Sequence, residues 1–105
     1  MKTILVTDAA GDFAEDKDVA AQIREDQIVP AINAKEEITI DFSGVTLVTQ
    51  SFIHALICDP LRSHGERVLG LIIFKGCSDG VRGIIETVVQ YSLETMDDNG
   101  EAAPN

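Results

Sequence analysis

Cys77 and Arg82 stand five residues apart in the segment CSDGVR, with Gly80 between them. A thiol just ahead of a helix could act as a nucleophile, because a helix N-terminus favours the thiolate. An arginine-closed phosphate loop needs Cys-x5-Arg, and here Arg82 comes one position early. Asp79 also puts a negative charge inside such a cradle. Ser51 and His54 form a second pair, one helical turn apart. A serine beside an imidazole could begin a nucleophile–base pair, but the sequence offers no third group to orient the ring. Cys58, Cys77, His54 and His64 lack the spacing of a zinc site, so no metal is expected. Glu15, Asp16, Asp18, Glu25 and Asp26 read as the solvated face of a helix rather than a calcium loop. DAAGDF, after the first apolar run, lacks the glycine spacing and the lysine of a nucleotide loop. No cofactor is expected.

These groups must be carried by a small chain. Its 105 residues suit one domain, and 45% are apolar, enough for a core. Asp and Glu number 18 against 8 Lys and Arg, for a net charge of −10. That disfavours nucleic acid and anionic membranes, which both reward positive charge. No apolar run reaches the roughly 18 residues of a membrane span. The N-terminal apolar stretch Ile4–Val6 is too short for a signal peptide. Two cysteines cannot build a disulfide scaffold, so reduced thiols and a cytoplasmic setting are expected. Secreted mini-proteins, coiled coils and repeat solenoids are excluded.

The pattern along the chain alternates strand and helix. Lys2–Thr7 is a β-branched strand candidate, followed by a turn over Asp8–Asp12. A helix starts near Ala14, with Asp12 and Glu15 spaced as a capping box and Val19, Ala20 and Ile23 on one face. Pro30 predicts a break or kink near Gln27–Val29. Glu37–Ser43 alternates like a strand and Gly44 ends it. Val45–Val48 is a short link that could be extended. Thr49 or Ser51 opens a second helix, which Pro60 weakens and Gly65 stops. Val68–Phe74 is almost wholly apolar and reads as a central strand buried on both faces. Ser78 or Asp79 caps a third helix to about Met96, with Val81, Ile84, Ile85, Val88, Val89 and Tyr91 on its buried face. The expected core includes Phe42, Ile40, Leu71, Ile73, Ile84 and Val88. Cys58 belongs to the core by the same reasoning, and His54 to the surface. The domain spans 1–96, and the acidic tail 97–105 is expected to be disordered. The order β-α-β-α-β-α gives an α/β fold with a small, mostly parallel sheet.

The stretch ITIDFSGVTLVTQSFIHAL, followed by IIFKGCSDGVRGIIETVVQY, resembles the bacterial STAS-like domain family, related to anti-sigma factor antagonists. With the first helix the resemblance covers most of 12–92. It implies a small STAS-like sheet with packed helices and a non-catalytic regulatory domain. The implied protein partner is a histidine-kinase-like ATPase or another sensor; homodimerisation is a further arrangement to consider. In anti-sigma factor antagonists a strand leads into Asp-Ser-Ser-Gly, whose second serine is phosphorylated. On that pattern Ser51 takes the phosphoserine position. Thr49 stands where the family has Asp, Gln50 where it has the first Ser, and Phe52 where it has Gly.

The expected contact surface is therefore Thr49, Gln50, Ser51, Phe52 and His54, with Gly76, Ser78 and Asp79 beside it. Both segments follow strand ends, where α/β folds place ligands and partners. Two other readings stay open. Cys77, Gly80 and Arg82 fit the Cys-x-x-Gly-x-Arg loop of rhodanese-type sulfurtransferases, although the preceding strands do not resemble that family. A small-ligand sensor could use the same surface as the partner.

Overall fold

The computed structural model describes the backbone of residues 2–102 and side chains as far as Glu94. Three short strands form a parallel sheet: β1 (Lys2–Leu5), β3 (Ile38–Asp41) and β5 (Ile72–Lys75), in the order β1-β3-β5. The register aligns Ile4, Ile40 and Phe74 in one row and Thr3, Thr39 and Ile73 in the next. Successive rows point to opposite faces. One face, with Ile4, Ile38, Ile40 and Ile72, is buried in the core. The other stays partly open, with Leu5 43% and Ile73 44% exposed. Only β3, paired on both sides, buries all four of its residues.

This corrects the sequence reading of the central strand. Val68–Phe74 is divided between helix α6 (Arg67–Leu71) and the edge strand β5. Val68 is buried from a helix, not from a strand. A continuous apolar run has no period to tell the two apart. Of the expected core, Phe42, Ile40 and Val88 are buried, Leu71 and Ile84 are half-buried, and Ile73 is exposed.

After β1 the chain does not continue as a strand to Thr7 but turns into the short helix α1 (Val6–Ala10). Phe13–Ala14 forms β2, which pairs in parallel with β4 (Leu47–Val48). Asp12 does not cap a helix. Its carbonyl accepts from the backbone N–H and the hydroxyl of Thr46, at 2.8 and 3.1 Å. The cap of helix α2 (Lys17–Ile23) is Asp16, whose carboxylate accepts from the Asp18 N–H at 2.9 Å. The acidic side chains at 15, 16, 18, 25 and 26 are all exposed, as a solvated face requires.

Neither Pro30 nor Pro60 breaks its helix. Instead a wide π-helical turn precedes each one at the same spacing. The turn Arg24–Ile28 leads into α3 (Val29–Asn33), with Pro30 in its first turn. The helix α4 (Gln50–Ile53) runs through the turn His54–Cys58 into α5 (Asp59–His64), with Pro60 likewise placed. Proline cannot donate to the carbonyl four residues back and its ring crowds that carbonyl. The wide turn moves the pairing to five residues, as in the bond from the Val29 N–H to the Arg24 carbonyl. The break or kink expected near Gln27–Val29 takes the form of this widened turn. Gly65 does end α5, at φ +81°, donating to the Leu61 carbonyl at 2.8 Å.

The last helix, α7 (Asp79–Ala102), runs past Met96. The tail expected to be disordered over 97–105 is helical in its backbone as far as Ala102, and 103–105 lie outside the described residues. Val81, Ile85 and Val88 on α7 are buried, whereas Tyr91, expected on the same face, is 58% exposed. Cys58 is fully buried and accepts from the Ser92 hydroxyl at 3.3 Å, which joins α7 to the second long helix.

Candidate functional site

The β2–β4 ladder sets where the second long helix begins. The Thr49 N–H donates to the Ala14 carbonyl at 3.0 Å, continuing the ladder by one bond. The Thr49 side chain then accepts from the Phe52 N–H at 3.1 Å, so Thr49, and not Ser51, caps α4. Gln50, Ser51 and His54 are left exposed on the outer face. Phe52 and Ile53 point inward and are buried. Phe52 is therefore a core anchor, which removes it from the contact surface.

Ser51 and His54 line a groove of about 460 Å³. Lys17, at the start of α2, and Thr87, Val88 and Tyr91 of α7 line it with them. A hydroxyl at the second position of a helix meets the positive end of the peptide dipoles. With Lys17 on the same groove, this position suits a negative group better than most of an acidic surface does.

The segment around Gly76 is built for a different task. Asp41, at the end of β3, accepts from the Ser43 N–H at 2.8 Å and folds the chain into a tight turn. The Ser43 hydroxyl and this N–H hold the Asp41 carboxyl below its ordinary range, Lys75 adds a smaller pull, and partial burial opposes them. Gly76 lies against this turn with φ +70°. A Cβ there would collide with the Ser43 hydroxyl and meet Asp41 Oδ1 at 2.8 Å. Ser78 caps α7, its hydroxyl accepting from the Val81 N–H at 3.2 Å. Asp79 is exposed in the first turn. The α7 residues that reach the Ser51 groove are Thr87, Val88 and Tyr91, and Gly76, Ser78 and Asp79 are not among its lining.

Cys77 is half-buried, with its sulfur 3.9 Å from the Lys75 carbonyl. Burial pushes its thiol up, only partly offset by Arg82, and Asp41 adds to the rise. From Asp79 onward the backbone is helical, so Gly80 and Arg82 belong to the first turn of α7 rather than to a loop around the sulfur. Among the described residues no group of three or more His, Cys, Asp or Glu could hold a metal ion. None of the helices described is long and apolar enough to cross a membrane.

One feature of this region escaped the sequence reading. Phe13 and Leu47 are cross-strand neighbours in the β2–β4 ladder, and they are 46% and 59% exposed. This apolar pair adjoins the Thr49 cap. Two-residue strands leave too short an alternation to read from sequence.

A parallel three-stranded sheet against a helical layer, with a strand leading into a capped helix, is the architecture expected of a STAS-like chain. The chain belongs to the family described as a STAS-like domain of unknown function (DUF4325), whose model matches residues 19–82. That span runs from α2 to the first turn of α7 and includes Thr49–His54 and the anchoring Phe52. No curated protein and no solved structure matches the chain.

Proposed function

We propose that the protein is a non-catalytic regulatory domain that acts by protein–protein contact through the start of α4 and the adjoining β2–β4 ladder. The exposed Phe13–Leu47 pair beside the Ser51 helix start is the observation that carries this reading. An apolar pair rimmed by polar side chains is the composition of a partner-binding patch. Ser51 and His54 supply the polar side, and the buried Phe52 and Ile53 hold the helix rigid behind them.

The partner proposed is a histidine-kinase-like ATPase or another sensor, on the strength of the resemblance to anti-sigma factor antagonists. In that comparison Ser51 takes the phosphorylated position. A phosphate there adds a charge of about −1.5 to −2. The helix start and Lys17 would accommodate it within the domain, while an apolar or acidic partner surface would not. Phosphorylation would therefore release the partner and leave the fold intact.

The sulfurtransferase reading fares less well. It needs a low-pKa thiol in an open anion loop, whereas Cys77 is shifted upward and Arg82 is helical. A small-ligand sensor is the second reading, favoured by the 460 Å³ groove itself, a size that suits a small molecule.

Hydrogen exchange of the full chain with and without a histidine-kinase-like ATPase encoded beside it separates the two. Protection over 13–14 and 47–54 is expected on complex formation. Protection elsewhere, or none, would move the contact off this surface.

A further inference from the structure

At the end of the sheet where β3 and β5 begin, far along the chain from Ser51 on both sides, lies a cleft of about 560 Å³. Ile32 and Leu71 give it apolar walls, and Asn33, Lys35, His64 and Arg67 bring polar heads to it. We infer that this cleft binds a small organic anion, a phosphate or carboxylate carrying an apolar group.

The charge distribution is the first ground. The whole chain has 8 Lys and Arg, 2 His and a net charge of −10. Two of those cations and one of the imidazoles meet at this cleft, and among the described residues no carboxylate lines it. Glu36 and Glu66 adjoin Lys35 and Arg67 in sequence but are not on its walls.

Among the described residues these basic heads are also uncommitted. The ion pairs among the described residues belong to Arg24, and Lys35, His64 and Arg67 take part in none. Basic residues at helix ends often serve the last carbonyls, but here backbone donors do that work. At the end of α3 the Lys35 N–H donates to the Ile32 carbonyl at 3.0 Å and the Glu36 N–H to the Ala31 carbonyl at 2.8 Å. At the end of α5 the Gly65 N–H takes the Leu61 carbonyl at 2.8 Å.

The shape and chemistry then define the ligand. The volume falls in the range of roughly 300–1,000 Å³ usual for small-molecule sites. An arginine fork and a lysine charge together suit a phosphate or carboxylate. The Asn33 amide and the His64 ring add donors, and Ile32 and Leu71 can cover an apolar body. The cleft shares no residue with the Ser51 groove, so the inference stands apart from the proposed contact surface.

Nuclear magnetic resonance titration of the full chain with phenyl phosphate tests it, with inorganic phosphate and phenol as the two halves of the probe. Phenyl phosphate is expected to give saturable shifts at Lys35, His64, Arg67 and Gly70, with affinity about tenfold above that of either half. The double variant Lys35→Ala/Arg67→Ala should weaken binding by about tenfold or more at an unchanged melting temperature. Arg67→Glu alone should do the same, which covers the case of a double variant that folds poorly. Shifts that do not saturate, that spread equally to Arg62 and Lys75, or that survive both variants would overturn the assignment.

Discussion

Arg24 donates from Nη1 to the carbonyl of Ala55 at 2.7 Å, joining the wide turn of the first long helix to that of the second. The acceptor is free for a definable reason. In a π turn a carbonyl pairs with the N–H five residues on, and five residues beyond Ala55 is Pro60, which has none. A guanidinium from another helix fills the vacancy, and Asp59 and Glu25 steady it at 3.3 and 2.9 Å.

Arg24→Ala should therefore cost about 1.5–3 kcal/mol, the range for a charged donor on a shielded acceptor. Pro60→Ala restores an N–H at position 60, so in that background the loss of Arg24 should cost less. Urea denaturation of the two single variants and the double variant reads the coupling directly. Strictly additive effects would mean that Arg24 does not compensate for the proline.

Asp41 predicts an acid limb in stability. Its folded pKa lies below its ordinary value of 3.8. A lowered carboxyl stabilises the fold fully above the unfolded value and loses that contribution as the pH falls through the folded one. Asp41→Asn should be less stable than wild type at neutral pH, with the gap closing below about pH 4. Gly76→Ala, which forces a Cβ into the same turn, should cost at least about 2 kcal/mol. Chemical denaturation across pH checks both. A gap that is constant with pH would separate Asp41 from the turn's stability.

The corrected sheet makes opposite predictions for two apolar residues. Ile73→Ala, on the open face of an edge strand, should cost less than about 1 kcal/mol. Phe52→Ala should cost about 3–5 kcal/mol, because it empties a buried site. Melting curves of the two variants suffice, and similar losses would contradict the placement of β5.

The alternation of strands and helices was legible because Ile38, Ile40 and Phe42 keep a clear period of two, and Ile85 and Val88 sit at helical spacing. The division of Val68–Phe74 was not, since its burial from a helix and from an edge strand leaves the same uninterrupted apolar residues. The π turns were also out of reach. Pro30 and Pro60 announce a disturbance, but whether a helix breaks or widens depends on what can serve the freed carbonyls, such as Arg24 some thirty residues away from Ala55. Ser51 and His54 were singled out by the family resemblance and their place after a strand, and both are exposed. The Phe13–Leu47 pair was missed because its exposure is a property of the ladder, not of either residue.

Cys77 should behave as an unreactive thiol. With its pKa raised by burial, alkylation near about pH 7.5 should be slower in the folded chain than in urea, since the thiolate is the reacting form. Peptide mapping after iodoacetamide distinguishes it from the buried Cys58. Faster reaction in the folded state, with thiosulfate-to-cyanide sulfur transfer abolished by Cys77→Ser, would favour the enzyme.

The central claim is that the Ser51 surface binds a protein and can be switched by charge. Calorimetry with a histidine-kinase-like ATPase encoded beside this protein tests it on wild type, Ser51→Ala, Ser51→Asp and Leu47→Asp. All four should melt within a few degrees of one another, because Thr49 and not Ser51 holds the cap and Leu47 is largely exposed. Wild type and Ser51→Ala should bind equally, and Ser51→Asp and Leu47→Asp should bind at least about tenfold more weakly. Equal affinity across all four chains, or no binding by wild type, would contradict the account.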